Sequence, residues 1–304
     1  MPELPEVETV ARGLQAAVAG RRILAVTLRK TDFIDDPAAI ERELPGRHIV
    51  RIERFGKFML LRLAEHVARP PLVVRSAPAR VPDALLVHLG MTGHLAPHLP
   101  EQPLAKHTHV TFTLDDGREL RYTDARRFGR MAFLAGSALN AELERFGADP
   151  LCISAEDFAN RIRASKARIK ALLLDQRVLR GVGNIYADES LWRAKIHPAQ
   201  RGMKLTGGQV RVLRRALQQV LQKAIESRGS SIADFLDADG EPGEYQQHHR
   251  AYGREGKPCY RCRTPIRRVI VAGRSSFFCS KCQPAPRIRK HATKPVRRKS
   301  RRNA

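Results

Sequence analysis

The stretch CYRCRTPIRRVIVAGRSSFFCSKC, residues 259–282, contains two Cys-x-x-Cys pairs separated by sixteen residues. Four thiolates at this spacing are typical of a tetrahedral zinc site, and a site closed by four cysteines leaves no open position for water or substrate. We therefore predict a zinc finger that folds around one structural zinc ion. The predicted ligands are Cys259, Cys262, Cys279 and Cys282.

A disulfide framework is the alternative interpretation of these cysteines. Two observations disfavour it. Residues 1–20 carry Glu3, Glu6 and Glu8, unlike a secretory signal, and the fifth cysteine, Cys152, makes the total odd. We expect Cys152 to be a buried, inert side chain.

The net charge of +24 on 304 residues indicates a polyanionic partner. Residues 1–159 hold 21 basic and 21 acidic residues, whereas residues 250–304 hold 18 basic residues and one acid. An excess confined to one half of the chain favours nucleic acid over an ordinary solvated surface, because each phosphate contact releases counterions. No apolar run reaches eighteen residues, so we expect a soluble cytoplasmic protein without a membrane partner.

The first half of the chain has the pattern of a helix followed by strands. Apolar residues recur at helical spacing over 5–19, and short strand-like runs follow. Strands without long intervening helices favour a sandwich or a barrel over a parallel, doubly wound sheet. The predicted strands are 23–29, 48–55, 57–63, 84–89, 108–114 and 118–123.

From about residue 137 the pattern becomes helical. Ser154 and Thr206 are predicted to open helices, and the stretch RGVGNIYADESLW, residues 180–192, breaks the helical pattern at two glycines before it resumes. A turn of this kind leaves backbone N–H groups free to hold a phosphate.

The chain begins MPELPEVETV, with Pro2 behind the initiator methionine. Loss of Met1 would give a free secondary amine with an ordinary pKa of about 7.7–8.0, nucleophilic enough at neutral pH to attack a sugar C1′. The neighbouring Glu3 could then move protons. The alternative is that Pro2 and Glu3 only lead into a helix, where proline and acidic residues are favourable.

Seven stretches taken together resemble the formamidopyrimidine-DNA glycosylase family: MPELPEVETV, RFGKFML (54–60), HLGMTG (88–93), YTDARRFGR (122–130), RGVGNIYADESLW, YGREGKPCYRCRTPI and SSFFCSKC. The resemblance implies an α+β multidomain fold: an N-terminal β-sandwich with a leading helix, a C-terminal helix–two-turn–helix domain and a four-cysteine zinc finger. It implies a bifunctional glycosylase and apurinic/apyrimidinic lyase of base excision repair, acting on oxidised purines such as 8-oxoguanine.

The resemblance assigns Pro2 as the nucleophile, Glu3 as its proton donor, Lys57 to β-elimination and Arg274 to phosphate contact and δ-elimination. It implies that Met91, Arg126 and Phe128 fill the gap left by the extruded base. It also implies contacts with the DNA backbone from His107, Arg126, Lys166, Lys170 and Asn184. The expected partner is damaged double-stranded DNA, bound by a monomer in a bacterial cell, associated with the nucleoid.

The implied domains are a catalytic sandwich (1–136), a helical DNA-binding domain (137–228), a loop over the lesion (229–249), the zinc finger (250–284) and a disordered basic tail (285–304). The loop 65–83 and the tail are longer than is usual in the family. The loop at 229–249 and Leu4 favour the purine-specific branch over the related endonuclease VIII branch. A non-catalytic zinc-finger protein that binds damaged DNA is a third possibility, which Pro2, Glu3 and Lys57 disfavour.

Overall fold

The computed structural model describes residues 1–65, 83–231, 235–238 and 240–286. Most of the predicted insertion 65–83, part of the predicted loop over the lesion and nearly all of the predicted tail therefore lie outside the described residues. The other predicted elements can be compared with the structure.

The N-terminal part, up to about residue 135, is a two-sheet sandwich with two helices. The helices are α1 (Leu4–Val18) and α2 (Pro37–Glu43). The strands are β1 (Ile23–Leu28), β2 (His48–Phe55), β3 (Phe58–Ala64), β4 (Asp83–His88), β5 (Gly93–His98), β6 (Thr108–Leu114), β7 (Glu119–Asp124) and β8 (Arg130–Leu134). They form two antiparallel four-stranded sheets, in the orders β1-β6-β7-β5 and β2-β3-β4-β8. The sandwich prediction is confirmed.

The sequence did not predict β5 and β8. Strand β5 contains Pro97, which cannot donate a ladder hydrogen bond, but β5 lies at the edge of its sheet and pairs only with β7. Strand β8 has only five residues and completes the second sheet against β4. Short edge strands are stabilised by their neighbours more than by their own sequence pattern.

The helical part contains α3 (Gly136–Glu144), α4 (Ala155–Arg163), α5 (Ile169–Leu174), α6 (Asn184–Ala194) and α7 (Gly207–Glu226), with 3-10 turns at Gly202–Lys204 and Tyr245–His248. Both predicted caps are present: the hydroxyl of Ser154 accepts from the N–H of Asp157 at 3.0 Å, and Thr206 accepts from Gln209 at 3.2 Å. The finger is the hairpin of β9 (Ile266–Val271) and β10 (Arg274–Cys279).

Helix α1 joins the two large cores. Leu4, at its first position, packs in the helical core with Val182 and Ile185, whereas Val7, Val10 and Leu14 pack in the core of the sandwich. The chain therefore starts at the boundary between the two domains, and residues 1–3 lie where both contribute side chains.

Candidate active site and nucleic-acid interface

Pro2 and Glu3 lie in a cleft of about 650 Å³ between the sandwich and the helical domain. The sandwich contributes Lys57 and two loops, the helical domain contributes the start of α6, and the finger contributes Tyr252 and Arg274. The lining residues are Met1, Pro2, Glu3, Glu6, Lys57, Gly90, Met91, Thr92, Arg126, Phe128, Leu174, Gly183, Asn184, Ile185, Ser230, Phe235, Tyr252 and Arg274. Of the residues assigned to catalysis or to gap filling, none lies outside this lining.

The Glu3 carboxylate caps the N-terminus of α6. It accepts from the backbone N–H of Ile185 at 3.1 Å, with that of Tyr186 at 3.5 Å. The capping position itself is Gly183, whose absent Cβ would lie 2.2 Å from Cδ of Glu3. Only glycine therefore allows a carboxylate from another segment to supply the cap.

Burial raises the pKa of Glu3 to about 7, partly offset by the positive charge of Lys57. At neutral pH both the acid and the carboxylate are then populated, as a group that donates and accepts protons requires. A second buried carboxylate, that of Glu6, accepts from the N–H of Glu3 at 2.8 Å, from that of Ser230 at 2.7 Å and from the hydroxyl of Tyr186.

Lys57 lies in the two-residue turn between β2 and β3, and not at the start of the strand as predicted. Its side chain is buried, and burial lowers its pKa; the nearby carboxylate of Glu3 raises the pKa and the guanidinium of Arg274 lowers it further. No carboxylate in the described part of the chain lies within 4.0 Å of the Lys57 ammonium. Arg274 is exposed at the start of β10.

Met91, Arg126 and Phe128 lie together on the sandwich side of the cleft. Met91 and Phe128 are 41% and 57% exposed, large values for apolar side chains. The guanidinium of Arg126 stacks on the Phe128 ring, 4.6 Å from its centre. These side chains therefore project into the cleft instead of joining the core.

Asp124 organises the loops that carry these side chains. It is fully buried, and its carboxylate accepts four hydrogen bonds, whose donors are the Thr92 hydroxyl (2.5 Å), the Tyr122 hydroxyl (3.2 Å), the Arg126 N–H (3.1 Å) and the Gly129 N–H (3.0 Å). Sequence reasoning did not single out Asp124.

The predicted contacts with the DNA backbone fall into two groups. His107 and Lys166 are exposed, and Asn184 is the first residue of α6 at the cleft. Lys170, in contrast, is completely buried: its ammonium lies 2.7 Å from the Asp188 carboxylate and donates to the carbonyl of Ser275 at 2.7 Å. The structure thus gives the Lys170 ammonium two protein partners, and its contact with phosphate stays a prediction.

The finger is held to α6 by consecutive acidic residues. Asp188 accepts from the N–H of Phe277 at 2.9 Å. Glu189 accepts from the N–H groups of residues 250–252 at 2.8–3.0 Å. Buried carboxylates satisfied in this way fix the position of the finger, and so of Arg274, relative to the cleft.

The four predicted ligand cysteines come together, with their sulfur atoms within 4.8 Å of one another. Four thiolates around zinc at about 2.3 Å lie about 3.8 Å apart, so the donor set and its spacing fit zinc. The indole N–H of Trp192 donates to the Cys259 sulfur at 3.4 Å, and the Arg261 guanidinium stacks on the Trp192 ring at 3.9 Å. The prediction for Cys152 was wrong, because its side chain is exposed in the loop before α4.

Three family models match this chain and together cover most of it. Residues 1–131 match the formamidopyrimidine-DNA glycosylase N-terminal domain, residues 146–235 match the H2TH domain of the same enzymes, and residues 256–285 match the zinc finger found in FPG and IleRS. The chain belongs to the formamidopyrimidine-DNA glycosylase family.

Relatives and solved structures agree with this membership. The formamidopyrimidine-DNA glycosylases of Herpetosiphon aurantiacus and Solibacter usitatus are 41% and 44% identical, over 93% of this chain and 100% and 99% of their own lengths. A Lactococcus lactis FPG mutant in complex with Fapy-dG containing DNA superimposes with a TM-score of 0.83 at 31% identity, covering 93% of this chain and 100% of that one. The MutM (FPG) protein of Thermus thermophilus gives a TM-score of 0.78 at 38% identity, with coverages of 93% and 98%.

Within this family member, sequence reasoning missed the residues that position the reactive groups. Glu6, Asp124, Asp188 and Glu189 are all buried and polar, and all stand in stretches that the motifs already cover. Their position inside those motifs was the available signal. In the described residues, no helix is long and apolar enough to cross a membrane.

Proposed function

We propose that this protein is a bifunctional DNA glycosylase and apurinic/apyrimidinic lyase of base excision repair that removes oxidised purines from double-stranded DNA. Its membership in the glycosylase family supports the activity. One observation carries the mechanism: Pro2, Glu3 and Lys57 share one cleft. Lys57 is far from Pro2 and Glu3 in the sequence, and both Glu3 and Lys57 are buried although they are charged side chains.

In the proposed reaction, removal of Met1 exposes the secondary amine of Pro2, which attacks C1′ of the damaged nucleotide and displaces the base. Glu3, whose pKa of about 7 keeps a protonated fraction at neutral pH, supplies a proton during attack and ring opening. The resulting iminium ion withdraws electrons and makes the bonds to both flanking phosphates easier to break.

The two eliminations are proposed to use cations from two parts of the chain, Lys57 of the sandwich and Arg274 of the finger. The Lys57 ammonium has no ion-pair partner among the described residues and is available for proton transfer in β-elimination. Arg274, carried by the finger, holds the phosphate next to the lesion and assists δ-elimination. Met91, Arg126 and Phe128 fill the gap in the duplex, which costs a few kcal/mol if left empty.

The backbone of the duplex is proposed to contact His107, Arg126, Lys166, Lys170 and Asn184. For Lys170 the proposed contact is indirect: its ammonium is held by Asp188 and donates to the carbonyl of Ser275, the residue after Arg274, and so supports the phosphate contact of Arg274. The proposed catalytic and gap-filling residues line one cleft within the chain, and we propose that the protein acts as a monomer, at the bacterial chromosome. Light scattering during gel filtration measures the oligomeric state.

The decisive test is to trap the covalent intermediate. Duplex DNA carrying 8-oxoguanine is mixed with protein whose intact mass shows the loss of Met1, and borohydride is added. We expect a covalent adduct that a Pro2→Gly variant, which has a primary amine in place of the secondary amine, forms much more slowly. Absence of an adduct, with an abasic site also left intact, contradicts the enzymatic proposal.

Substrate preference is tested with the same assay on a second duplex. One related structure from Lactococcus lactis carries DNA that contains an oxidised pyrimidine, so both classes must be compared. We expect a larger kcat/KM for 8-oxoguanine than for an oxidised pyrimidine. The reverse order supports the endonuclease VIII-like alternative, and binding without adduct formation on either duplex supports the non-catalytic one.

The metal is proposed to be one zinc ion with a structural role, held by the four cysteines. The chain has a single tryptophan, Trp192, which contacts both Cys259 and Arg261, so its fluorescence reports on the finger. We expect one equivalent of zinc per chain, and chelation should change the Trp192 emission and abolish DNA binding. DNA binding that survives complete metal removal contradicts the structural role.

A further inference from the structure

We infer that Asp124 is a positioning residue for base extrusion: its buried carboxylate fixes the loops that present Met91, Arg126 and Phe128 to the gap in the duplex. This inference rests on the proposed function, because it assumes that these three side chains enter the DNA. It adds a residue that contacts neither the damaged base nor the reacting sugar.

The donors to Asp124 come from two segments of the chain, the turn at Thr92 and the continuous stretch 122–129 around Asp124 itself. Thr92 follows Met91 in the turn before β5, Tyr122 lies in β7, and the N–H groups of Arg126 and Gly129 belong to the loop after β7. One carboxylate therefore sets the position of the Met91 turn relative to the Arg126–Phe128 loop.

The carboxylate has no Lys or Arg within 4.0 Å in the described part of the chain. Its charge is stabilised by the four N–H and O–H donors alone. A buried carboxylate is costly, and hydrogen bonds to a charged group are stronger than neutral ones, so loosening either loop would expose an uncompensated charge. The hydrogen bonds of Asp124 therefore oppose movement of one loop relative to the other.

The packing around this carboxylate leaves little room for another arrangement. A Cβ at Gly129 would lie 1.9 Å from the Tyr122 hydroxyl, so the loop backbone packs directly on that group. On the other side of the Met91 turn, the N–H of Gly90 donates to Nδ1 of His88 at 3.1 Å. The backbone N–H of Asp124 also donates to the carbonyl of His107, at 3.1 Å, which joins a proposed DNA contact to the same centre.

Fixed loops matter because the inserted side chains are exposed in the free protein. Ordering them only on binding would cost conformational entropy at the moment of extrusion. Held in place beforehand, they offset the cost of unstacking the base. An abasic site has no base to unstack, so its cleavage depends less on this arrangement.

The test compares Asp124→Asn and Thr92→Val with a matched control, Thr111→Val, which removes a buried hydroxyl elsewhere in the sandwich. Asparagine keeps the shape of Asp124 but turns one acceptor into a donor, so the N–H of either Arg126 or Gly129 loses its bond to this side chain; the Arg126 N–H would then retain only the Thr92 hydroxyl, at 3.2 Å. Single-turnover release of 8-oxoguanine and cleavage of a preformed abasic site are measured, with 2-aminopurine beside the lesion to report unstacking.

We expect Asp124→Asn to lower the rate of base release and the rate of the 2-aminopurine fluorescence change about 10- to 100-fold. Thr92→Val should lower both rates less. Cleavage of the abasic site should change less than about threefold, and Thr111→Val should leave both reactions near wild type. Unchanged base release, or equal loss in both reactions for Asp124→Asn and Thr92→Val, overturns the inference. If the wild type itself releases no base, the proposed function fails instead.

Discussion

Two buried lysines of this protein each lie near a buried carboxylate, but one pair is sealed from solvent and the other lines the cleft. Lys170 and Asp188 form a contact of 2.7 Å with both side chains fully inaccessible to solvent. Lys57 and Glu3 influence each other's pKa but are not in an ion pair, and both line the cleft. Burial raises the pKa of both carboxyl groups to about 7 and lowers the pKa of both lysines.

The difference shows that burial alone does not identify a reactive group. Burial perturbs both pairs, but only the pair open to the cleft can exchange protons with a substrate. The sealed pair holds α5, α6 and the finger together, through the additional bonds of Lys170 to Ser275 and of Asp188 to Phe277. We interpret Lys57 and Glu3 as chemical groups, and Lys170 and Asp188 as a structural link.

The largest effect is expected for Lys57→Met. Loss of a positioned proton donor should slow cleavage of a duplex with an abasic site about 10²- to 10⁴-fold. The melting temperature should not fall, because no partner in contact is left unpaired. Single-turnover cleavage and thermal unfolding measure the two quantities. A large loss of stability with a modest loss of cleavage would show that Lys57 has a structural role and not a chemical one.

Lys170→Met should have the opposite profile. Asp188 would remain buried without its cation, which should lower the free energy of unfolding by about 3–5 kcal/mol. Denaturant unfolding measures this loss. Lys170→Met/Asp188→Leu is the control: it should recover part of the stability, since no unpaired charge remains. A double variant less stable than Lys170→Met would contradict the role of the pair.

The pH dependence of base release should distinguish Glu3 from Asp188, with an effect smaller than those of the two lysine substitutions. The protonated form of Glu3 predominates below its pKa of about 7 and is lost above it, so base release should fall by up to about tenfold per pH unit on the alkaline side. Base release is followed over the range from about pH 5 to about pH 9, which brackets that pKa. Glu3→Gln, which cannot titrate, should lose this decline along with most activity.

Asp188→Asn is the matched control for the pH experiment. Asp188 also has a pKa of about 7 but is sealed from the cleft, so its variant should keep the alkaline decline of the wild type. If Asp188→Asn shifts the decline as Glu3→Gln does, the decline belongs to a coupled network and not to Glu3.

The smallest effect concerns salt. Lys166 is exposed, and Lys166→Met should reduce the slope of log affinity against log salt by about one, because one phosphate contact is lost. Lys170→Met should leave the slope unchanged if its ammonium stays with Asp188. Binding of a lesion duplex between about 50 and about 200 mM salt, conditions in which phosphate contacts dominate the affinity, measures both slopes. A reduced slope for Lys170→Met would establish the direct phosphate contact that the family resemblance implies.

The sequence by itself determined the features that depend on local spacing. The four cysteines, the caps at Ser154 and Thr206, the helix after Pro2 and the glycine turn before Asn184 are each encoded within a short stretch. Spacing along the chain fixes local geometry, so these features, and the family resemblance that rests on them, could be predicted without a structure.

Only the tertiary structure decided which charged groups are free and which are engaged. Glu3 caps a helix that begins 181 residues further along the chain, and Asp124 accepts from the hydroxyl of Thr92, 32 residues before it. Lys170 and Lys57 are both followed by apolar residues in the sequence, so local pattern does not distinguish them. Folding places Asp188 against Lys170 and leaves Lys57 open to the cleft. Partners of this kind come from distant segments, and no local pattern encodes the distance between them.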